Sequence, residues 1–466
     1  MVSAAEQLAQ NINFSAFSKA EDLQRRIWFT LGALVVYRFG TFIPIPGINP
    51  QAFAETFERS SQGILGMFNM FAGGAVERMA IFALNIMPYI SASIIMQLMT
   101  SVNKQLEQLK KEGEQGRKTI NQYTRYLTVL LATFQAYGIS IGLEGMQTQS
   151  GAVVMDPGWF FRASTVITLV GGTVFLMWLG EQVTQRGIGN GISLIIFAGI
   201  VAGMPSAIAG LFQLSYEGSI PVVIAFGVLA LMAVVVLCIV FMERAQRRLL
   251  IQYPKRQVGN QMMQGNASHL PLKLNSAGVI PPIFASSLLL LPTTAAQFTA
   301  TPDAEGGSQW LNYMVALLGY GQPLHMAIYA ALIIFFAFFY TAVVFNPQET
   351  ADNLRKYGGY IPGIRPGAKT AEYIDYVLTR ITVVGALYLA AVCLLPELMI
   401  ANTPVPQTFA AVLGGTSLLI AVSVTMDTVA QVQSHLLAHQ YEGLLEKSQL
   451  RGKSAKGRKR RSPARK

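Results

Sequence analysis

Charge is scarce in this chain. Asp, Glu, Lys and Arg make up 13% of its 466 residues, against about 25% in soluble proteins. Hydrophobic residues reach 52% and the mean hydropathy is +0.41. These values exclude an ordinary soluble domain and leave an all-α polytopic membrane protein. Cysteine is almost missing. Cys238 and Cys393 both lie inside apolar runs, as buried thiols of membrane helices do, a setting that gives little support to a disulfide or a metal site.

Catalytic equipment is missing as well. The four histidines, His269, His325, His435 and His439, show no metal-ligand spacing with cysteines or carboxylates. No GxxxxGK[ST] phosphate loop occurs, because Gly116-Arg-Lys-Thr119 lacks the required order. The expectation is a protein that is not an enzyme, with no cofactor and no metal, driven by an outside motor. Titratable groups are also missing from the centres of the apolar runs. Glu181, Glu243, Asp375, Arg380 and Asp427 lie at the edges, whereas ion-coupled transporters carry carboxylates or histidines near the midplane. Asn85, Gln97, Ser286 and Ser287 are the polar residues of the central spans. An inverted-repeat secondary transporter is therefore the weaker alternative. A passage lined this way is uncharged and apolar at its narrowest point, which suits varied side chains and resists ion leak.

What the chain does have is apolar length, and residues 61–100 organise it. The part from 79 onward is long enough to cross a bilayer, which takes roughly 20 apolar residues. The Phe/Met/Gly-rich part, 63–74, is too short. Such a segment must sit inside protein or in a watery cavity, as a stopper in a pore would. Runs of this kind predict ten spans, at about 27–45, 79–100, 127–143, 161–180, 188–209, 220–242, 277–296, 324–345, 382–398 and 409–426. The seventh is interrupted near its start by Pro281-Pro282. No small-residue cleavage site follows the first run, so it is read as a helix that stays in the membrane.

Basic residues collect in the connections 103–125, 243–274 and 346–373, while 206–219, 293–323 and 397–407 contain none. Only Arg38, Arg59, Arg78 and Arg162 fall on the opposite face. This asymmetry puts both termini in the cytoplasm. The net charge of +11 then reads as orientation plus an anionic partner at the cytoplasmic face. Ten spans divide into five and five, which inverts the second copy. The second and seventh spans should correspond, and Pro88–Ser93 shares Pro-x-Ile-x-Ala-Ser with Pro281–Ser286. The expected organisation is a cytoplasmic segment at 1–26, halves at 27–212 and 213–440, and a basic tail at 441–466. The like-charge run 451–466 is expected to be disordered. The long basic connections suggest docking sites.

Several stretches carry a resemblance: GEQVTQRGIGNGIS at 180–193, NQYTRY at 121–126, HLPLKLN at 269–275, FNPQETADNL at 345–354 and PGIRPG at 362–367. Together they closely resemble the SecY/Sec61-alpha family, the channel subunits of the general protein-translocation complex, over almost the whole chain. The resemblance implies a clamshell of two inverted five-helix halves around an hourglass pore, with a lateral gate between the second and seventh spans. It implies a re-entrant plug helix at 63–74, including Met67, Phe68, Asn69, Phe71, Gly73 and Gly74. By position it implies a pore ring of Ile86, Ile90, Ile192, Ile196, Ile283 and Ile420. The spacing of Ile86/Ile90 and Ile192/Ile196 agrees with shared helix faces. Gln97, Asn190, Ser286 and Ser287 become candidates for gate contacts. Arg247, Arg248, Lys255, Arg256, Arg355, Lys356 and Arg365 become candidates for docking SecA or the ribosome. Further implied partners are SecE, SecG, SecDF, YidC, membrane lipid, and the signal peptides and nascent chains that would be the cargo, in a bacterial inner membrane. Two features depart from the family's pattern. Asn85 stands where small residues are usual, and 260–264 is less basic than the loop tip often is, while the tail is more so.

Overall fold

In a bilayer every backbone N–H and C=O must be satisfied within its own segment, so an apolar run becomes a helix even when rich in β-branched residues. The Val-rich helix Val222–Arg244 is a clear case. The computed structural model describes residues 21–60, 69, 72–144, 147–148, 151–218, 220–253, 256–258, 261–263, 267–299, 322–402, 409 and 414–459. Among these, a helix coincides with each of the ten expected spans: α1 Glu21–Gly40, α3 Met87–Val102, α5 Glu114–Glu144, α6 Trp159–Arg186, α7 Gly191–Tyr216, α8 Val222–Arg244, α9 Ile280–Thr299, α10 Pro323–Val344, α12 Ala368–Asn402 and α13 Gly415–Lys459. Seven helices are long and apolar enough to cross a membrane unaided, and Met87–Val102 and Ile280–Leu289 are shorter apolar helices. Three further helices, α2 Pro50–Ser60, α4 Lys104–Lys111 and α11 Pro347–Lys356, lie between them.

Boundaries depart from expectation in several places, and four of these departures have a physical cause. The second span is helical only from Met87. Residues 79–86 instead turn, with positive φ at Met79 and Asn85 (43° and 48°), and pair with the segment after α1. Ile45 N–H donates to the Met79 carbonyl and Ile81 N–H to the Ile43 carbonyl, both at 2.9 Å. Irregular backbone is tolerated at membrane depth only when covered by protein, and Met79, Phe82, Leu84, Asn85 and Ile86 are all buried. Gly172 of α6 makes room for this segment, since a Cβ there would overlap the Ile81 carbonyl oxygen. In the seventh span Pro281-Pro282 does not break the helix but lies in the first turn of α9, where missing N–H groups cost nothing. The run 127–143 is the end of a 31-residue helix that also absorbs the NQYTRY stretch. The tail is helical through Lys459, consistent with its content of Leu, Lys, Glu, Gln and Arg.

The left-handed backbone explains Asn85. Outside glycine, Asn is among the few residues that adopt this conformation readily, and others lose about 1–2 kcal/mol there. Asn85→Val is expected to lose about 1–2 kcal/mol through its left-handed backbone alone. Thermal unfolding in detergent measures this, and a valine variant as stable as wild type would contradict it.

The connections 243–274 and 346–373 are not separate loops. Strand β3, Gln246–Gln252, pairs antiparallel with β6, Ala267–Lys273, from Gln246↔Lys273 to Gln252↔Ala267. Between them lies a small hairpin of β4, Arg256–Val258, and β5, Gln261–Met263. Gln252 exchanges backbone hydrogen bonds with Tyr360 at 2.9 and 3.0 Å. Leu249, Ile251 and Leu272 then share one core with Leu354, Ile361 and Ile374. Helix α11 is fixed by Asn346, whose Oδ1 accepts from Gln348 and Glu349 N–H, with Pro347 opening the helix.

By packing, the described residues fall into two compact units, one within 1–37, 178–195 and 424–466, the other within 38–177 and 196–423. In the first, Leu23, Ile188 and Leu436 form the core. Its turn at 187–190 is held by Thr30 Oγ1, which accepts from Ile188 N–H at 3.1 Å, and by Gln431 Oε1, which accepts from Gly189 N–H at 2.8 Å. The second unit contains a buried pair that sequence reasoning missed. His325 Nδ1 lies 3.1 Å from Glu397 Oε2, with side chains 8% and 1% exposed. Both lie close to ends of α10 and α12, so the spans' centres remain uncharged there. Glu397→Ala would remove the carboxylate end of this buried hydrogen bond, at a cost of about 1–3 kcal/mol. Glu397→Gln should recover most of that in a thermal melt.

Candidate functional site

The shared Pro-x-Ile-x-Ala-Ser stretch sits in the first turns of both α3 and α9. Both of its isoleucines, Ile90 and Ile283, reach one small cavity. The cavity is lined by Asn85, Ile86, Met87 and Ile90 around the start of α3, Ile196 from α7, Ile283 and Ser286 from α9, and Ile420 from α13. It has room for about one water molecule. No lining side chain is ionisable, and Ile86, Ile90, Ile196 and Ile420 are buried. Packing around it comes from α9, which lies against α3 and α5. Phe284 meets the ring of Phe336 edge-on at 5.7 Å. An aperture built this way holds no charge, coordinates nothing and gives a polar backbone little to bind.

Five of the six isoleucines named from sequence thus meet at one place. Ile192 does not line the cavity; it lies one helical turn before Ile196, next to the N-terminus of α7. Asn85 and Met87 do line it. Met87 was legible in principle, because it directly follows Ile86 at the point where the helix starts.

Each of the four gate candidates has its own local setting. Ser286 lines the cavity, and its hydroxyl donates to the Ile283 carbonyl at 3.0 Å. Ser287 is 3% exposed, and its Oγ has no hydrogen-bond partner among the described residues. Gln97 Nε2 donates to Ser93 Oγ within α3 at 3.5 Å. Asn190 is exposed, and its Oδ1 accepts from Ile192 N–H at 3.1 Å, so it caps α7.

Of the stopper residues, Met67, Phe68 and Phe71 lie outside the described residues. Asn69, Gly73 and Gly74 are described, and 72–74 form a turn rather than a helix, with positive φ at both glycines. Of the docking candidates, Arg247 and Arg248 are exposed on β3 and Arg355 and Lys356 on the last turn of α11. Arg256 opens β4, and Lys255 lies outside the described residues. Arg365 is exposed in a turn whose backbone is held by Thr370 Oγ1, a donor to the Arg365 carbonyl at 2.9 Å. Among the described residues no group of three or more His, Cys, Asp and Glu could hold a metal.

The family described as SecY matches this chain over residues 80–429. The chain belongs to the SecY family. It is 55% identical over 439 residues to the protein translocase subunit SecY of Rickettsia felis, covering 94% of this chain and 99% of that protein. Its fold matches a solved SecY channel described for a plug domain that stabilises the closed state. There the TM-score is 0.63 at 19% identity, over 89% of this chain and 92% of that one. Sec61 in the canine ribosome-channel complex gives a TM-score of 0.59 at 17% identity, over the same shares of the two chains. The ten helices are thus those of a protein-conducting channel family, and this family's members are not enzymes.

Proposed function

We propose that the chain is the central channel of a bacterial protein translocase, passing unfolded polypeptide through the constriction at Ile86, Ile90, Ile196, Ile283 and Ile420. The observation that carries this reading is the convergence of these side chains, from four helices and the turn before α3, on one uncharged cavity. An apolar collar sheds water and ions when closed and deforms around a chain of any sequence when open. Residues 63–74 are the stopper, seated on the outer side. The halves 27–212 and 213–440 part along α3 and α9. Signal peptides and membrane segments of nascent chains leave there for lipid once their apolar length favours it. Gln97, Asn190, Ser286 and Ser287 adjust that opening, since interhelical polar contacts are worth only about 0.6 kcal/mol on average.

The platform of β3, β6 and α11 faces the cytoplasm in the bacterial inner membrane, with both termini on that side. It receives the SecA ATPase or the ribosome through Arg247, Arg248, Lys255, Arg256, Arg355, Lys356 and Arg365. SecE braces the halves, SecG lies at the periphery, and SecDF and YidC join the assembly. The ribosome is the best supported of these partners, because the canine Sec61 neighbour is a ribosome-channel complex. The test is cross-linking of an arrested precursor to single cysteines at 90, 283 and 420. Adducts at all three are expected, with none at 231 in α8, where Leu231 is exposed. Adducts at 231 alone would overturn the reading.

A further inference from the structure

We propose that Asn275 and Glu243 are positioning residues that set where α9 begins, and through α9 the places of Ile283 and Ser286 in the cavity wall. The proposal rests on the reading of that cavity as the constriction of a channel. Asn275 closes the HLPLKLN stretch and lies in the connection between β6 and α9. It is 4% exposed. Its Nδ2 donates to Glu243 Oε1 at 2.8 Å and to the Gly278 carbonyl at 3.2 Å. Glu243 lies in the last turn of α8, the helix that leads into β3. A side-chain amide nitrogen carries two hydrogens, and here each has its own acceptor. One side chain thus joins the end of α8 to the approach to α9.

The rest of the connection runs tightly between helices. Leu274 N–H donates to the Ala245 carbonyl at 2.9 Å, which continues the β3–β6 ladder by one step. Gly385 of α12 makes room there, since a Cβ would lie 2.8 Å from the Leu274 carbonyl oxygen. Ala277 packs with Ala337 of α10 and Ala386 of α12, and Gly278 takes a positive φ of 62°. Small residues permit this close passage but offer little surface to hold it. The start of α9 cannot hold itself either. Pro281 and Pro282 in its first turn remove two backbone donors, and a residue before proline is steered away from helical geometry. The grip therefore falls to Asn275, and a hydrogen bond to a carboxylate is stronger than a neutral one. Ile283 and Ser286 lie in the first two turns of α9 and line the cavity, so a shift of the helix start moves both.

The test uses the full chain reconstituted with its translocase partner subunits in vesicles. Resting ion leak is read beside the melting midpoint. Asn275→Asp keeps the shape but sets oxygen against two acceptors, and should raise the leak severalfold. Glu243→Gln keeps an acceptor for Asn275 and should seal like wild type. The double variant, Asn275→Asp with Glu243→Gln, exchanges donor and acceptor across the pair and should recover most of the seal. Leu249→Ala is the stability control, expected to lower the midpoint without a leak, and Ile90→Asn is the constriction control, expected to leak. If Ile90→Asn leaks while Asn275→Asp is as tight as wild type, the positioning role is wrong and the channel reading stands. A double variant as leaky as Asn275→Asp alone, or an equally leaky Leu249→Ala channel, also overturns the role. If Asn275→Asp does not fold, Asn275→Ala removes both donors without adding charge and carries the same expected leak. If Ile90→Asn is itself tight, the channel reading fails.

Discussion

Ile90→Asn is expected to raise the resting ion permeability of the reconstituted channel by about tenfold to a hundredfold. Ile90 is 8% exposed and shares the cavity wall with Ile86, Ile196, Ile283 and Ile420. Burying such a side chain is worth about 1.5–3 kcal/mol, and each 1.4 kcal/mol is a factor of about ten. Asparagine removes that contribution from the closed state and offers entering water a donor and an acceptor. Both changes favour the hydrated aperture. Ile90→Leu keeps the volume and the apolarity, and should leak no more than wild type. Vesicle-based chloride or dye release measures the effect. An asparagine variant as tight as wild type would show that the cavity is not the barrier.

Arg365→Glu is expected to lower motor-driven uptake of a precursor by about tenfold or more while leaving folding intact, because charge reversal at the proposed docking surface would convert attraction into repulsion. The side chain is exposed, and among the described residues its backbone carbonyl is engaged by Thr370. Loss of the charge therefore costs the platform no packing. The contrasting variant is Leu249→Ala. It removes a buried side chain from the core that joins 243–274 to 346–373, so it should lower both the melting midpoint and the uptake. An Arg365→Glu channel with full uptake at every salt concentration would remove this residue from the docking surface.

The spans were legible because lipid leaves an apolar run one way to satisfy its backbone. That Ile86, Ile90, Ile196, Ile283 and Ile420 share one cavity was legible only through family motifs, since an isoleucine in an apolar helix gives no sign of which side it faces. Tertiary override hid the rest. Residues 79–86 read as the start of a span because they are apolar, and nothing local announces that they will pair with 43–45. The stretch Gln246–Gln252 alternates polar and apolar residues only in part, and its partner lies across a segment of more than a dozen residues. The core that unites it with Ile361 and Ile374 is therefore a property of the folded chain. Asn85 is the reverse case: an exception in sequence that becomes ordinary once its φ of 48° is known. His325 and Glu397 are 72 positions apart, and no local pattern links them.

The most direct test of the channel is uptake itself. The complex is reconstituted with its partner subunits and motor ATPase, and an unfolded precursor is added with ATP. The account predicts protease-protected precursor inside the vesicles, abolished when a folded domain is fused to the precursor's end. A competent preparation that protects no precursor, yet couples proton or sodium flux to a small solute, would contradict it.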